Sequence, residues 1–434
     1  MKQKIVLITL LFFTLTVSFL NLNQANAASD GIAIGGELVW EKTFGGKGDD
    51  RAFYATATND GLLVVGSTRS IVEGKTVAWV LRLDCDGNAL WNKTFPYGTG
   101  SEFRYIINLL DGFLLVGNQF TSDIDPNGYV VKINSEGNML WNITLGGETV
   151  DRLFGAAKAQ DGFLLAGLTQ TSDNDGNSQV WLVKIDENGK VVWNKTYGWA
   201  MDDAARAVAI ADGNSFLVAG YTDSIGHGNF DFLVLKVDNN GNFLWNQTYG
   251  GAESDKAYTI APTVDGFVIA GDTRSQGAGE SDALIVKIDA QGHLLWQKTV
   301  GGNGFDVPTC INALGNGEGY LVGGTTFSYG NGYRDFWLFK LDTSGNLLQS
   351  CTIGRSNYEE SYATVEVSQD NFVMAGWTNS IGEGSYDFYV LKVKVENNIE
   401  WWQTNTFIAL VAGVAAFLVV GLLLLKWRFN QRKR

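Results

Sequence analysis

Short apolar runs separated by polar turns repeat along most of the chain. Typical members are residues 255–261 and 267–273, which flank an Asp-Gly turn, and residues 231–237, which precede a second tight turn at 238–241. Runs such as 163–167 are apolar on both alternating faces, so a strand formed by them must be covered on both sides. The pattern predicts four antiparallel strands per unit, with Gly/Asp/Asn turns between them.

A Trp-centred phrase marks the repeat length. It first occurs at residues 37–46, and a seventh copy at 347–354 has Gln349 in place of the Trp. The copies between them centre on Trp91, Trp141, Trp193, Trp245 and Trp296, at spacings of 50 to 52 residues. A period near fifty with four strands predicts an all-β fold, a seven-bladed β-propeller of four-stranded antiparallel blades, because stacked blades cover each other's faces.

The Trp strand occurs once before any other strand type. We therefore predict that the N-terminal strand 37–43 completes the last blade, whose recognisable strands end at 390–393. Closure of this kind removes exposed sheet edges. A degenerate Trp phrase at 397–404 competes for the same edge. We prefer to place it in a juxtamembrane linker, 399–405, which gives a propeller over 28–398.

Both ends of the chain carry targeting signals. Lys2 and Lys4 precede an apolar run and an Ala-Asn-Ala site, which predicts a signal peptide over 1–27. An N-terminal membrane anchor is the alternative. Residues 406–425 hold no charge and are long enough to cross a bilayer, so they predict one C-terminal transmembrane helix. The basic tail 426–434 then lies in the cytoplasm and the propeller outside, as a single-pass protein of the cell membrane.

The charge balance restricts the partners. The chain carries a net charge of −14, and without its two ends it holds 25 basic against 46 acidic side chains. Such a surface disfavours nucleic acid and anionic lipid headgroups as ligands. Cys85, Cys310 and Cys351 are too few for a disulfide framework, so stability must come from an ordinary core.

The repeat resembles the W-N-K-T-x-G-G / D-G-F unit of microbial surface β-propeller proteins. The residues that carry the likeness are 193–198, 161–163 and 183–186, and seven imperfect copies extend it over most of the chain. The layout is distantly similar to kelch repeats and to quinoprotein propellers, whereas the WD signature is absent. The resemblance implies a propeller fold and says little about activity.

Catalytic motifs are missing from the sequence. His227 and His293 stand in different repeats, and no nucleophile elbow, phosphate loop or Cys/His metal spacing occurs. We therefore expect a protein that is not an enzyme and needs no cofactor. A glycosidase remains an alternative because a pair of carboxylates close in space leaves no sequence motif.

A series of acids precedes the first strand of most units. It comprises Asp50, Asp151, Asp203, Asp255, Asp306 and Glu359. These side chains are candidates for a ring of carboxylates that binds cations or a basic group near one end of the channel. The alternative, which we favour, is that each one accepts hydrogen bonds from backbone N–H groups and fixes a turn between blades.

Two loops and four tripeptides suggest further chemistry. Oxygen-bearing side chains alternate in two loops, which makes calcium possible at Asp123, Asp125, Asn127, Asp173, Asp175 and Asn177, although the Glu expected at the twelfth position is missing. Four N-x-T sequons on an exported domain are glycosylation candidates: Asn92, Asn142, Asn194 and Asn246. The recurring Trp, by contrast, is expected to pack the blades rather than stack on sugars.

The residues that do not repeat are where specificity is expected. The sequence predicts a binding, adhesion or interaction module that uses loops on one face of the ring. Its partner would be a protein or glycan at the cell surface. Loop residues that stand out are Phe230, Tyr329, Tyr333, Arg334 and Tyr386. A carbohydrate-active or other propeller enzyme and a purely structural envelope component are the alternatives.

Overall fold

The computed structural model describes residues 35–122, 125–170, 176–315 and 317–395. The predicted signal peptide, the 397–404 segment, the linker, the membrane helix and the basic tail lie outside these ranges. Within them, no helix has the length and apolar character that crossing a bilayer would require.

Twenty-eight strands form seven four-stranded sheets. Blade 1 contains β2 (Asp50–Thr58), β3 (Gly61–Thr68), β4 (Val77–Asp84) and β5 (Ala89–Phe95). Blade 2 contains β6 (Gly100–Leu109), β7 (Gly112–Ser122), β8 (Asp125–Ile133) and β9 (Met139–Leu145). Blade 3 contains β10 (Asp151–Ala159), β11 (Gly162–Gln170), β12 (Ser178–Ile185) and β13 (Val191–Tyr197). Blade 4 contains β14 (Asp203–Asp212), β15 (Ser215–Thr222), β16 (Asp231–Asp238) and β17 (Phe243–Tyr249).

The remaining blades follow the same order. Blade 5 contains β18 (Asp255–Thr263), β19 (Gly266–Thr273), β20 (Asp282–Ile288) and β21 (Leu294–Val300). Blade 6 contains β22 (Asp306–Ala313), β23 (Tyr320–Thr326), β24 (Asp335–Leu341) and β25 (Leu347–Ile353). Blade 7 contains β26 (Glu359–Ser368), β27 (Asn371–Thr378), β28 (Asp387–Lys394) and the N-terminal β1 (Glu37–Phe44). The predicted all-β propeller of seven four-stranded antiparallel blades is confirmed.

The core lies between blades rather than within one sheet. Leu217 and Phe232 of blade 4 pack against Phe267 and Ile269 of blade 5, and all four are at most 3% exposed. Each blade therefore needs its neighbours to bury its apolar faces, which explains why the second and third strands read as nearly continuous apolar runs.

The N-terminal strand is the outermost strand of blade 7. β1 pairs antiparallel with β28, with Thr43 opposite Tyr389. Arg355 of the preceding connection forms an ion pair with Glu41 at 2.5 Å. Gln349, which replaces the Trp in the seventh copy, donates to the Gly35 carbonyl at 2.7 Å. The ring is thus joined by contacts between the two ends of the repeat array.

The recurring Trp packs one blade on the next. Trp193 of blade 3 donates its indole N–H to the Asn239 carbonyl of blade 4 at 3.0 Å. Its ring covers Gly241, whose φ is +71° and where a Cβ would come within 3.0 Å of the indole. The Trp and the turn glycine are therefore one structural unit, repeated between successive blades.

The ring has two distinct faces. The connections between blades and the loops that precede each third strand lie on one side, which we call the loop face. The Asp-Gly turns and the turns before each Trp strand lie on the other side, the turn face. Glu37 pairs with Lys394, so β1 begins and β28 ends at the turn face.

Candidate functional site

The recurrent acids lie buried in the seams between blades. Asp50 is fully buried and accepts hydrogen bonds from the Thr68 and Ser70 hydroxyls and from the Gly46 amide. Asp306 repeats the arrangement, with the Gly302 amide at 2.7 Å. The predicted candidates Asp50, Asp151, Asp203, Asp255, Asp306 and Glu359 are all at most 3% exposed. The structure therefore places them in the connections between blades, inside the scaffold.

A second series of acids, at the start of the third strands, went unrecognised in the sequence. Asp231 accepts hydrogen bonds from the His227 and Gly228 amides at 2.8 and 3.0 Å. It also approaches the acid of the next blade, since a Cβ on Gly250 would lie 2.5 Å from an Asp255 oxygen and 2.7 Å from an Asp231 oxygen. These paired acids close the loop-face end of the seam.

Burial raises the pKa of several seam acids, among them Asp203, Asp387 and Asp335. Asp335 is 1% exposed and faces Glu359 of the next blade. Burial, and then the charge of Glu359, raise the pKa of Asp335 to about 6. The seam between blades 6 and 7 is therefore sensitive to mildly acidic pH.

The proposed calcium ligands are not brought together by the described residues. Asn127 is buried in the seam between blades 2 and 3, beside Asp151. Asn177 is half-buried and donates to the Ala200 carbonyl at 3.0 Å. Asp123, Asp173, Asp175 and the Asp125 side chain lie outside the described part. Within the described ranges, no three His, Cys, Asp or Glu side chains form a group that could hold a metal.

The sequon asparagines lie on the outermost strands. Asn92, Asn142 and Asn194 are exposed and Asn246 is half-buried. Asn194 accepts the indole N–H of Trp181 at 2.7 Å, so at this position the repeated Asn also serves the scaffold.

The five loop candidates lie on the loop face in two groups. Phe230 and Tyr386 flank the channel mouth, where they contact Lys256 and Arg51. Tyr333 is 63% exposed and stacks on Tyr358, with ring centroids 5.2 Å apart. The other two are held by neighbours: Tyr329 donates to the Gly301 carbonyl at 2.6 Å, and Arg334 pairs with Glu360 at 2.9 Å.

The first strands line the central channel with alternate side chains. We count the residues of each first strand from its buried acid, or from Ser101, which takes that place in blade 2. The first and third residues point into the seams, so the fourth residue faces the channel. We call this set the channel ring; it consists of Phe53, Arg104, Phe154, Arg206, Tyr258, Thr309 and Tyr362. Aromatic and cationic side chains thus alternate over blades 1 to 5.

The ring cations stack on the aromatic rings. The Arg104 guanidinium lies 3.8 Å from the centroid of Phe53. Arg206 lies 4.1 Å from the centroid of Phe154 and 5.5 Å from that of Tyr258. These distances are within the range of cation–π attraction. The aromatic side chains hold the guanidinium groups in place without neutralising their charge.

A second tier of cations lies one step closer to the loop face. It contains Arg51, Arg152 and Lys256 in blades 1, 3 and 5. Arg51 lies 4.6 Å from the Tyr386 centroid, and Lys256 lies 3.8 Å from that of Phe230. The two tiers together give the channel mouth five cationic side chains on a protein whose net charge is −14.

Most of this positive charge has no carboxylate partner. Among the described residues, Arg104 forms a bidentate pair with Glu102, whereas Arg51, Arg206 and Lys256 form no ion pair. Burial, aided by the charge of Arg104, lowers the pKa of Arg206. Burial also lowers the pKa of Lys256; the charge of Asp272 opposes this shift, and the charges of Arg274 and Arg206 add to it. These cations are close enough to repel one another.

An open pocket of about 380 Å³ lies where the channel mouth meets blades 1 and 2. Arg51, Arg104 and Tyr362 form its channel side, and hydroxyl groups line its outer part. Glu102 also lies in this pocket; burial opposes its ionisation, but the Arg104 pair and the Asn118 amide lower its pKa overall. The site therefore offers fixed charges, hydroxyls and aromatic edges around one cavity.

The cations of this cluster are visible in the sequence, but an alignment of the repeats does not show that they belong together. The cations occupy the second position of blades 1, 3 and 5 and the fourth position of blades 2 and 4. Because they alternate between two positions, neither position is cationic in consecutive repeats. Only the fold shows that both positions face the same channel.

No protein-family model matches the chain. Regulatory protein FlaEY of Caulobacter vibrioides is 26% identical over 189 residues, covering 36% of this chain and 20% of that protein. The chain thus spans about a fifth of that relative's length.

Solved structures resemble the chain in shape at low identity. The WD40 domain of Pan2 from Neurospora crassa matches 82% of this chain and 90% of its own length, at 12% identity and a TM-score of 0.48. A puromycin hydrolase mutant matches 78% of this chain and 51% of its own, at 15% identity and a TM-score of 0.48. A protein of unknown function from Dyadobacter fermentans matches 83% of this chain and 100% of its own, at 12% identity and a TM-score of 0.45. The propeller assignment rests on the sheet topology itself.

Proposed function

We propose that this chain is a membrane-anchored, extracytoplasmic binding module that holds its ligand on the loop face of the propeller. The observation that carries the proposal is the pocket at the channel mouth. Its walls are built largely from side chains that do not repeat, whereas the repeated Asp and Trp residues are engaged in contacts between blades. A rigid scaffold with a variable, open surface is the usual arrangement of interaction propellers.

The position of the chain ends supports the same orientation. β28 ends at the turn face, and the predicted membrane helix follows it in sequence. A tether at this face leaves the loop face and its pocket pointing away from the bilayer. The predicted signal peptide and the positive tail favour an outward-facing propeller.

Binding without turnover is the reading that the pocket chemistry favours. A glycosidase needs one carboxylic acid that stays protonated near neutral pH beside a second carboxylate. Glu102 is instead held in its ionised form by two hydrogen bonds from Arg104, at 2.8 and 3.0 Å. A bidentate pair of this kind positions a guanidinium group better than it donates a proton.

The orientation can be tested with the native cysteines. Cys85 is exposed on the turn face, whereas Cys310 is largely covered and Cys351 is buried. A membrane-impermeant maleimide should label the full-length chain on intact cells, and Cys85→Ser should abolish the labelling. Labelling that appears only after cell lysis would refute an extracytoplasmic propeller.

The binding face can be tested by steric block. The purified full-length chain, in detergent, is screened against arrays of glycans and surface proteins. A polymer-linked maleimide on Tyr333→Cys, in a Cys85→Ser background, should prevent binding from the loop face. The same polymer on native Cys85 is the matched turn-face control and should leave binding intact. Equal block from both faces would contradict the proposal, and the absence of any ligand would favour a purely structural component.

A further inference from the structure

We propose that the channel mouth binds an acidic saccharide, whose carboxylate groups are received by Arg51, Arg206 and Lys256. The inference rests on the proposed function and names the ligand class of the same site. It runs against the expectation from overall charge, because the protein is acidic and its exported part more so.

The first argument is positive charge that is only partly compensated, since Asp272 attracts Lys256 without forming an ion pair with it. Arg51, Arg206 and Lys256 form no ion pair among the described residues, although the chain has 46 acidic side chains to offer. Clustered like charges in a half-buried site raise each other's free energy. A bound carboxylate would relieve this repulsion, and the repulsion would return when the ligand dissociates.

The second argument is the geometry of the guanidinium groups. The aromatic side chains cover the faces of the cations, as Tyr386 and Trp377 do for Arg51 at 4.6 and 5.5 Å. Stacking on a face leaves the N–H groups at the edge able to donate. The Arg51 Nε is buried and has no hydrogen-bond partner. Edge donation by a planar, fixed guanidinium suits the two oxygens of a carboxylate.

The third argument distinguishes a saccharide from other anions. Of the three cations, Arg51 lines the pocket of blades 1 and 2, whereas Arg206 and Lys256 lie farther round the channel in blades 4 and 5. The outer part of the pocket is lined by the hydroxyl-bearing side chains Ser67, Thr76 and Thr99, beside the Asp49 carboxylate and next to Phe53 and Tyr362. Hydroxyl groups and aromatic edges suit a ring that carries many hydroxyls of its own. The volume of about 380 Å³ is within the range of small-ligand sites.

The fourth argument limits the length of the ligand. The surface outside the mouth carries the excess negative charge of the protein, which repels a long polyanion. The anionic groups of the ligand must therefore be confined to what enters the channel mouth. A short oligosaccharide, or the end of a longer chain, meets this condition, whereas an extended nucleic acid does not.

Calorimetric titration of the full-length chain in detergent tests the inference. The probes are trigalacturonic acid, its uncharged methyl ester, and triglutamate. The acid should bind at least tenfold more tightly than the ester, and triglutamate should bind more weakly than the acid. Arg51→Ala and Arg206→Ala should each weaken binding of the acid by about tenfold or more, the effect of losing one charged hydrogen bond.

Lys190→Ala is the matched control, because it removes one exposed positive charge at the turn face. It should leave the affinity unchanged, and thermal unfolding should show that all three variants fold. Equal affinity for the methyl ester would overturn the role of the cations. If triglutamate binds as tightly as trigalacturonic acid, or if none of the three probes binds, the proposal that the ligand is a saccharide is overturned. In these cases the proposed function still stands if the loop-face block abolishes binding of another ligand, and it fails only if that block has no effect.

Discussion

The two faces of the propeller use their cations in opposite ways. At the turn face, Lys184 and Lys287 are at most 1% exposed, and each donates to the Asp of its own blade's Asp-Gly turn, at 2.6 and 2.7 Å. At the channel mouth, Arg206 is half-buried, stacks on Phe154 and forms no ion pair with any carboxylate in the described ranges. The turn-face pairs recur in most blades, whereas the channel cations follow an alternating pattern in five of them.

The comparison distinguishes cations that are already ion-paired within the protein from cations that can still pair with a ligand. A hydrogen bond from Lys184 is the first of the contacts that lower the pKa of Asp161, so the pair is already satisfied within the protein. A cation that is held by an aromatic ring keeps its charge available for a ligand. Lys184 thus belongs to the scaffold and Arg206 to the surface that is free to bind, whereas Arg104, stacked on Phe53 and paired with Glu102, combines both arrangements.

The largest expected effect is a direct test of this contrast. Lys184→Ala removes a buried chain and leaves Asp161 and Asn239 without their shared donor, so we expect a loss of about 3 kcal/mol in the free energy of unfolding. Arg206→Ala removes a stacked cation that its neighbours repel, and should cost about 0.5 kcal/mol. Urea unfolding followed by Trp fluorescence measures both; equal losses would break the distinction.

A second substitution tests what holds the seams at the loop face. Gly250 has a φ of +151°, and a Cβ there would collide with the carboxylates of Asp255 and Asp231. Gly250→Ala should therefore destabilise the protein by about 2 kcal/mol. Gly74→Ala is the control, because its φ of +72° is also positive and nothing lies within 4 Å of its added Cβ. Similar midpoints for the two variants would show that the buried acids do not hold the seam.

The pH dependence of stability gives a smaller effect of defined sign. The pKa of Asp335 is raised from 3.8 to about 6, so the folded chain binds a proton that the unfolded chain releases. This carboxyl therefore stabilises the fold increasingly as the pH falls from above 6 toward 4, by about 1–2 kcal/mol. Asp335→Asn should be more stable than the wild type at pH 7, and the advantage should shrink through pH 6 to 4 and disappear only below about pH 4, where the unfolded carboxyl is protonated too. A difference that does not change with pH would contradict the shift.

The smallest effect concerns the outer strands. Asn194→Gln should cost about 1 kcal/mol, because the Trp181 indole N–H loses its acceptor. Asn142→Gln should cost almost nothing, since within the described part of the chain the side chain of this exposed residue donates only to the Met139 sulfur, at 3.1 Å. Both variants remove a sequon, so any glycan they carry is lost equally. Gel mobility detects the loss of a glycan, and the midpoint of urea unfolding reports the loss of the hydrogen bond from Trp181 to Asn194.

The fold could be predicted because its determinants are local and repeated. The phrase around Trp193 recurs because each blade needs the same ring against the same turn glycine of its neighbour. The buried Asp before each first strand follows the same logic, and the favoured interpretation of the acids as turn-fixing residues agrees with the contacts of Asp50.

The candidate site could not be predicted to the same extent. Arg104 and Arg206 act together with Phe53 and Phe154, which precede them by about fifty residues and lie in the preceding blade. Their contact depends on the channel radius and on which side of each strand faces inward. Phe230 and Tyr386 were recognised as unusual loop residues, but their role beside Lys256 and Arg51 follows only from the closed ring.

The composite seventh blade also determines how the domain carries mechanical load. β28 is not an edge strand, because it is bonded to β27 through eight register pairs and to β1 through seven. A pull on the chain beyond Val395, directed away from the turn face, acts along the axis of β28 and shears both ladders at once. Without β1, only one ladder would resist. The N-terminal strand therefore protects β28 against force, in addition to closing the ring.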